Sequence, residues 1–490
     1  MSAAELRLPP VLPEAPASAE ALRAAVPGAR VTVVGGARSG LSVARLLARH
    51  GAHVFLTDHG AAEAGVADAL ARDGVESEFG GHTARALDCD WVVLSPGVPT
   101  TSPLVQSALQ QKRPVYAEIE VASWFCPGPI VAVTGSNGKT TTTSLIAHVC
   151  ATDGRAHVVA GNIGTAFSDF VDDLDEDTVV VLEVSSFQLD HIVTFRPHVA
   201  VLLNITPDHL DRYDHDLSRY AAAKFRLFAN SQPGDWLVYN QDDPLVREHV
   251  QHLSAERGLV PVAFSVTDEP APGAFVRDGH LVLDLPAIGT PPGASPPMIR
   301  SEDFMPTSDL ALRGRHNLYN SLASAIVARA VEIRSDVVRE SLTSFEGVPH
   351  RLETVRTVGG VAFVNDSKAT NVNAVWYALE SFPSTDGPSV VLIAGGRDKG
   401  NDYEPLQRLV AEKVKGIVAI GEGAEAVEQD LGPHTARVAR ADSMQEAIQY
   451  AQLMAEAGDT VLLSPACASF DMFENYEDRG DTFKRLVHAL

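Results

Sequence analysis

The stretch VAVTGSNGKTTTTSL, residues 131–145, sets two glycines, a lysine and a run of threonines between an apolar segment and a helical pattern. Backbone N–H groups of a tight glycine turn, with the positive end of the helix that follows, can wrap a polyphosphate. In such a loop Gly135, Ser136, Asn137, Gly138 and Thr141 would line the phosphates, Lys139 would reach the β/γ-phosphates and Thr140 would hold Mg²⁺. The common spacing, G-x-x-x-x-G-K-[ST], would need a glycine where Val133 stands, so the loop is a shortened one. An ordinary strand-to-helix turn with a solvated lysine is the plain alternative. The strand before and the helix after favour a nucleotide site.

Six further runs carry chemistry. VVGGARSG (33–40) places Gly35, Ala37 and Gly40 at the positions of a dinucleotide fingerprint, with Asp58 ending the next strand as a ribose contact would require. Ala37 limits how closely a pyrophosphate approaches, so a nucleotide diphosphate bound in another way and a purely structural turn both stay open. In LEVSSFQLD (182–190), Glu183 ends a strand beside the phosphate loop, where a Mg²⁺ ligand would sit; a solvated strand-end glutamate is the alternative. NITPDHLDRYDH (204–215) and then Lys224 offer Asp, His and Lys for metal binding or anion stabilisation. A zinc site from His209 and His215 lacks zinc spacing, and Asp208 could simply cap a helix. Finally NDSKATN (365–371), GGRDKG (395–400) and SPACASFD (464–471) crowd Lys, Ser and Thr at three strand ends, suggesting a pocket for a small anionic substrate.

The elements that must position these residues read as α/β throughout. Short apolar runs at 31–34, 53–57 and 91–95 alternate with helical stripes, a βαβ rhythm that predicts a parallel sheet. A second block from about Ile130 holds the phosphate loop, 178–186, 199–205 and 236–240, with a long surface loop expected over 285–298. A third begins near Gly347, with strands at 361–365, 390–396, 416–420 and 460–464. The expected fold is three consecutive α/β domains after a loosely ordered extension (1–28): a Rossmann-like domain at 29–118, a P-loop domain with a mostly parallel sheet at 119–346, and a second Rossmann-like domain at 347–490.

At 490 residues the chain exceeds one ordinary core. A formal charge of −24 argues against nonspecific nucleic-acid binding, since a phosphate backbone would be repelled. Cys89, Cys126, Cys150 and Cys467 are scattered, which fits a reducing cytoplasm and offers no CxxC pair. No apolar run is long enough for a membrane span, and residues 1–30, which lack a basic region followed by an apolar core, read as an Ala/Pro-rich extension and not as a signal peptide.

Taken together, VTGSNGKTTT, EVSSFQLD, NITPDHLDRY, GRHNLYNSLA, PHRLE, NDSKATN and LLSPACASFD, in that order, resemble the Mur ligase family over roughly residues 30–490. The shortened phosphate loop is similar to that family's own form. The resemblance implies a bacterial cytoplasmic enzyme of cell-wall precursor synthesis, monomeric, with ATP and two Mg²⁺ ions as cofactors and neither nucleic acid nor membrane as partner. ATP would phosphorylate the alanyl carboxylate of UDP-N-acetylmuramoyl-L-alanine, and the D-glutamate amine would attack the acyl phosphate.

It further implies catalytic roles for Lys139, Glu183, His209 and Lys224, with Thr140, Glu183, His209 and a carbamylated Lys224 as metal ligands. Asn317, Asn320, Arg351 and Asp366 would join the phosphate loop in holding ATP, with Lys368 nearby. Ala37, Arg38, Ser39, Asp58, Ser95, Gly97, Asn162 and Ser185 would hold the UDP substrate. Thr370, Lys399, Ser469, Phe470 (through its backbone) and Tyr476 would grip D-glutamate. The sequence departs from the pattern at His59-Gly60, in the N-terminal extension and across 265–312. Competing readings are another amino-acid-adding ligase of the same fold, such as folylpolyglutamate synthetase or the diaminopimelate/lysine-adding Mur enzyme, a non-catalytic nucleotide-binding module, and a nicotinamide-dependent oxidoreductase built on 33–58. The last leaves the phosphate loop unexplained.

Overall fold

The computed structural model describes residues 18–257, 259, 261–286, 299–382, 387–398 and 400–490. Their named strands form three sheets, one per successive stretch of chain. The first comprises β1 (Arg30–Val34), β2 (His53–Asp58), β3 (Glu76–Phe79), β4 (Trp91–Leu94) and β5 (Val115–Ala117), in the order β3-β2-β1-β4-β5. All four pairings are parallel. A parallel sheet is covered on both faces, which is why β1 and β4 read as nearly continuous apolar runs. Helix Arg38–Arg49 covers one face by burying Val43, Leu46 and Leu47.

The second sheet follows with β6 (Ile130–Thr134), β7 (His157–Gly161), β8 (Val179–Glu183), β9 (Val199–Leu202), β10 (Trp236–Asn240), β11 (Val262–Ser265), β12 (Gly273–Arg277), β13 (His280–Pro286) and β14 (Ile299–Pro306). Its order is β14-β13-β12-β11-β10-β9-β6-β8-β7, antiparallel only at β12–β13 and β13–β14. Val133 faces Glu183 across β6–β8, and Thr134 faces Leu202 across β6–β9. The segments leaving these three strands therefore emerge side by side, at the end of the sheet where α/β proteins bind ligands.

One expectation needs correction here. The loop expected over 285–298 is overturned at its first two residues, because Leu285 and Pro286 complete β13; residues 287–298 lie outside the described residues. The 265–312 stretch, outside the motifs quoted above, supplies β12, which runs parallel to β11, and then the antiparallel strands β13 and β14. Leu281, Val282 and Leu283 follow one another in β13 and are all buried, so both faces of the strand are covered there.

The third sheet comprises β15 (Glu353–Val358), β16 (Val361–Asn365), β17 (Val390–Gly395), β18 (Val414–Ile420), β19 (Val438–Ala441) and β20 (Thr460–Ala466). The order is β15-β16-β20-β17-β18-β19, with β15 alone antiparallel to its neighbour. Separate apolar clusters cover its two faces. On one side Lys413 is buried and its Nζ donates to the carbonyls of Leu379 (3.0 Å), Glu380 (3.0 Å) and Phe382 (2.6 Å), closing the end of helix Val372–Glu380.

The chain divides into two compact units: residues up to Leu310 with Leu318–Phe345, and Ala311–Asn317 with Glu346–Leu490. Segment 311–317 thus belongs with the third sheet. There the His316 ring lies 5.7 Å from that of Tyr377, and a Cβ on Gly314 would come within 3.2 Å of Ser381.

In the first unit the first two sheets share one apolar cluster, running from Val26 to Ala263. The buried Glu120 carboxylate staples them. It accepts from Trp124 Nε1 (2.9 Å) on its own side, and from Val193 N (2.9 Å), Thr194 N (2.8 Å), Thr194 Oγ1 (2.6 Å) and Phe195 N (2.8 Å) on the other. Nearby, Glu118 Oε1 accepts from Ser168 N and Oγ, both at 2.7 Å, while burial pushes its carboxyl up to about 7. No helix among the described residues is long and apolar enough to cross a membrane.

Candidate active site

The phosphate loop links β6 to helix Lys139–Asp153. Gly138 has φ of 85°, and a Cβ there would stand 2.5 Å from Asn320 Oδ1, so the position requires glycine. Neighbouring strand ends hold the loop: Ser136 N donates to Asn204 O (2.9 Å), Asn137 N to Asn204 Oδ1 (2.9 Å) and Ser136 Oγ to Thr206 O (2.8 Å). Lys139 Nζ donates to the carbonyls of Gly135 and Ser136, both at 2.8 Å. Among the threonines, Thr142 Oγ1 donates to Asn320 Oδ1 (3.2 Å), whereas Thr141 Oγ1 is buried with no hydrogen-bond partner among the described residues.

Glu183 lies at the tip of β8, 2% exposed. Its Oε2 accepts from Thr140 Oγ1 (2.7 Å) and its Oε1 from Asn162 Nδ2 (2.9 Å). The solvated-glutamate alternative is thereby excluded. Lys224, 1% exposed on helix Leu217–Phe225, donates from Nζ to Gly135 O (2.8 Å) and sits 4.6 Å from the centroid of the Tyr220 ring. Burial first, and the Lys139 ammonium second, hold its amine well below the ordinary lysine range.

His209 adopts the left-handed region (φ 50°), with its Nε2 3.7 Å from Asp208 Oδ2 and its ring edge-on to Phe187 at 5.2 Å. The expected cap by Asp208 is corrected. The turn Leu210–Tyr213 starts with no side-chain cap, and Asp216 caps the following helix by accepting from Ser218 N (2.8 Å). Asp216 stands immediately before that helix, where its side chain is aimed at the orphan N–H groups of the first turn.

Thr140 and Glu183 are hard oxygen donors meeting at 2.7 Å, a set that suits Mg²⁺. Among the described residues no three His, Cys, Asp or Glu side chains gather as a metal site; the expected set contains two of those types, Glu183 and His209.

At the first sheet, Ala37 precedes helix Arg38–Arg49 in extended backbone, with Ser39 in its first turn. A Cβ on Gly40 would lie 1.8 Å from Gly35 O, so the helix packs on the turn only through glycine. Asp58 accepts from Gly36 N (2.5 Å) and Gly60 N (2.6 Å), and Arg38 donates to Gly164 O. Ser95 Oγ donates to Gly35 O (2.9 Å), tying the Ser95–Gly97 turn to the glycine turn. Ser185 caps helix Ser186–Leu189 in a reciprocal box with Gln188.

In the second unit Asp366 Oδ2 accepts from Ser464 Oγ (2.7 Å) and Oδ1 from Leu352 N (3.2 Å). Burial raises its carboxyl to about 6, against the pull of the Arg351 guanidinium. Asn317 Nδ2 donates to Arg313 O (2.8 Å). Lys368 Nζ lies 5.1 Å from the Tyr476 ring centroid, Thr370 N donates to Lys368 O (3.0 Å), Ser469 is buried and Phe470 is 62% exposed. Lys399 lies outside the described residues.

Sequence reasoning missed Arg479. It is 1% exposed and donates to Ser367 Oγ (3.0 Å), Ser367 O (2.8 Å) and Cys467 O (3.1 Å), joining the 367 and 467 segments. In YEDRGD it reads as one charge on a solvated helix start, and no local signal marks its burial.

Family models match all three stretches: "Mur ligase MurD-like, N-terminal domain" at 29–117, "Mur ligase middle domain" at 133–328 and "Mur ligase, glutamate ligase domain" at 350–467. The chain belongs to the Mur ligase family. It is 59% identical to the UDP-N-acetylmuramoylalanine--D-glutamate ligase of Salinibacter ruber, over 94% of this chain and 98% of that one. With the protein of the same name from Chloroherpeton thalassium it shares 46% identity, over 95% and 99% of the two chains. Among solved structures, UDP-N-acetylmuramate-alanine ligase MurC from Thermotoga maritima shares the fold, with a TM-score of 0.56, 19% identity and coverage of 94% and 99%.

Proposed function

We propose that this chain is an ATP-dependent, ADP-forming ligase that adds D-glutamate to UDP-N-acetylmuramoyl-L-alanine in peptidoglycan precursor synthesis. The observation that carries the reading is the meeting of Thr140, Glu183 and the buried Lys224 at the phosphate loop, in a chain 59% identical to a ligase of that name.

A carboxylate resists amines because its negative charge repels the nucleophile and oxide is a poor leaving group. Transfer of the γ-phosphoryl group to the alanyl carboxylate makes phosphate the leaving group. The D-glutamate amine then attacks the acyl carbon, and the tetrahedral intermediate collapses with cleavage of the C–O bond to phosphate. The chain contributes chiefly positioning and fixed charge. The 135–141 loop and Lys139 hold the ATP phosphates, with Asn317, Asn320, Arg351 and Asp366 toward the nucleoside. Ala37–Ser39, Asp58, Ser95, Gly97, Asn162 and Ser185 hold the UDP substrate. Thr370, Lys399, Ser469, Phe470 and Tyr476 hold D-glutamate.

Thr140, Glu183 and His209 would hold two Mg²⁺ ions, which supply neutralisation of crowded phosphate and carboxylate oxygens. Lys224 joins them as a carbamate: its neutral amine attacks CO₂, forms an N–C bond and releases a proton, turning a cation into an oxygen ligand. Its burial and low basicity support this reading.

The test is phosphate release from ATP, Mg²⁺ and UDP-N-acetylmuramoyl-L-alanine with D-glutamate, L-glutamate, lysine or diaminopimelate. Release with D-glutamate alone is expected. Release with another amino acid but not D-glutamate would overturn the assignment.

A further inference from the structure

Arg212 stands three residues after His209, in the turn Leu210–Tyr213 of the central sheet, yet its guanidinium serves the first sheet. Nη2 donates to Gly97 O (2.8 Å) and Nη1 reaches Pro96 O (3.3 Å). Behind it, the Cζ atom lies 4.1 Å from the centroid of the Phe187 ring, and Phe187 in turn stacks on Tyr213 at 6.2 Å. The fork is therefore braced from one side and spends its hydrogens on main-chain carbonyls, a task suited to a planar guanidinium. The turn it grips is fixed at its root by Ser95 Oγ on Gly35 O, so Arg212 supplies the second hold. A cavity of ≈ 240 Å³ adjoins this bridge, lined by Pro96, Thr100, Phe187, Asp190, His191 and Arg212.

We propose that Arg212 is a positioning residue that fixes the spacing between the diphosphate end of the UDP substrate and its reacting carboxyl group. The inference rests on the functional reading above, in which the Ser95–Gly97 turn helps to hold the UDP substrate, and it adds two placements: the diphosphate at that turn and the carboxyl group beside Glu183 and Lys224. A substrate held at both ends by different sheets reacts fast only when the two grips keep one separation. Arg212 links the turn to the segment carrying His209, so it couples those grips through main chain without touching the reacting atoms.

The experiment compares Arg212→Ala and Arg212→Lys with the parent on two substrates. One is UDP-N-acetylmuramoyl-L-alanine; the other is the same sugar-alanine bearing a single phosphate in place of UDP. Loss of positioning lowers kcat on the full substrate by about 10²-fold with KM little changed, leaves the truncated substrate's rate at the parent value, and is partly restored by lysine. A raised KM at unchanged kcat would mean direct phosphate contact and overturn the proposal. So would an equal loss on both substrates, which marks general structural damage, or no change at all. A parent protein that releases no phosphate with the full substrate and D-glutamate would instead overturn the functional reading.

Discussion

Lys224 concentrates the chemistry of the site in one amine. A buried lysine with no carboxylate within hydrogen-bonding distance among the described residues has its charged form penalised, and what it touches is the carbonyl of Gly135 and the face of Tyr220. Lys224→Ala should cut kcat by about 10²–10³-fold, and millimolar formate or acetate should restore part of it by supplying the missing anion. Full activity of the variant in a phosphate-release assay would remove the carbamate. Glu183→Gln keeps the shape but loses the negative charge facing Thr140, and should weaken Mg²⁺ dependence more than UDP-substrate binding, read as separate titrations.

The elements that join the first two sheets make predictions of a different kind. Removing the Glu120 carboxylate would leave several buried N–H groups unpaired, so Glu120→Ala should cost about 3–5 kcal/mol in denaturant unfolding of the first unit. Glu118 adds a pH dependence. Its carboxyl is raised from 4.5 to about 7 in the folded state, so the folded protein binds the extra proton. That contribution is complete below about pH 4.5 and is lost as pH rises through about 7; Glu118→Gln, which keeps the acceptor for Ser168, should flatten the decline. These contacts were invisible in the sequence, where EIEVAS reads as an ordinary polar helix start. What could be read was periodic: β1, β6, β8, β9, β17 and β20 announce themselves as apolar runs, and the polar clusters beyond them fall at strand ends because helices cover both faces of a parallel sheet. Arg212 and Arg479 were unreadable for the opposite reason. Their partners are mostly main-chain carbonyls distant in sequence, and a carbonyl has no letter.

For the whole molecule, the shared cluster from Val26 to Ala263 predicts that the first two sheets melt together, while the third unfolds in its own transition under calorimetry. UDP-N-acetylmuramoyl-L-alanine at 100 times its Kd should then raise the first transition by about 2.7 kcal/mol of added stability. Three separate transitions would contradict the single cluster. Segment 311–317 carries a further consequence for anyone exchanging parts between relatives. A crossover at 346, where the chain looks cleanest to cut, would graft a C-terminal module lacking the strip that brings His316 against Tyr377 and Gly314 against Ser381. The heritable unit of this half is discontinuous: a chimera stays native only if the donor of 346–490 also donates 311–317.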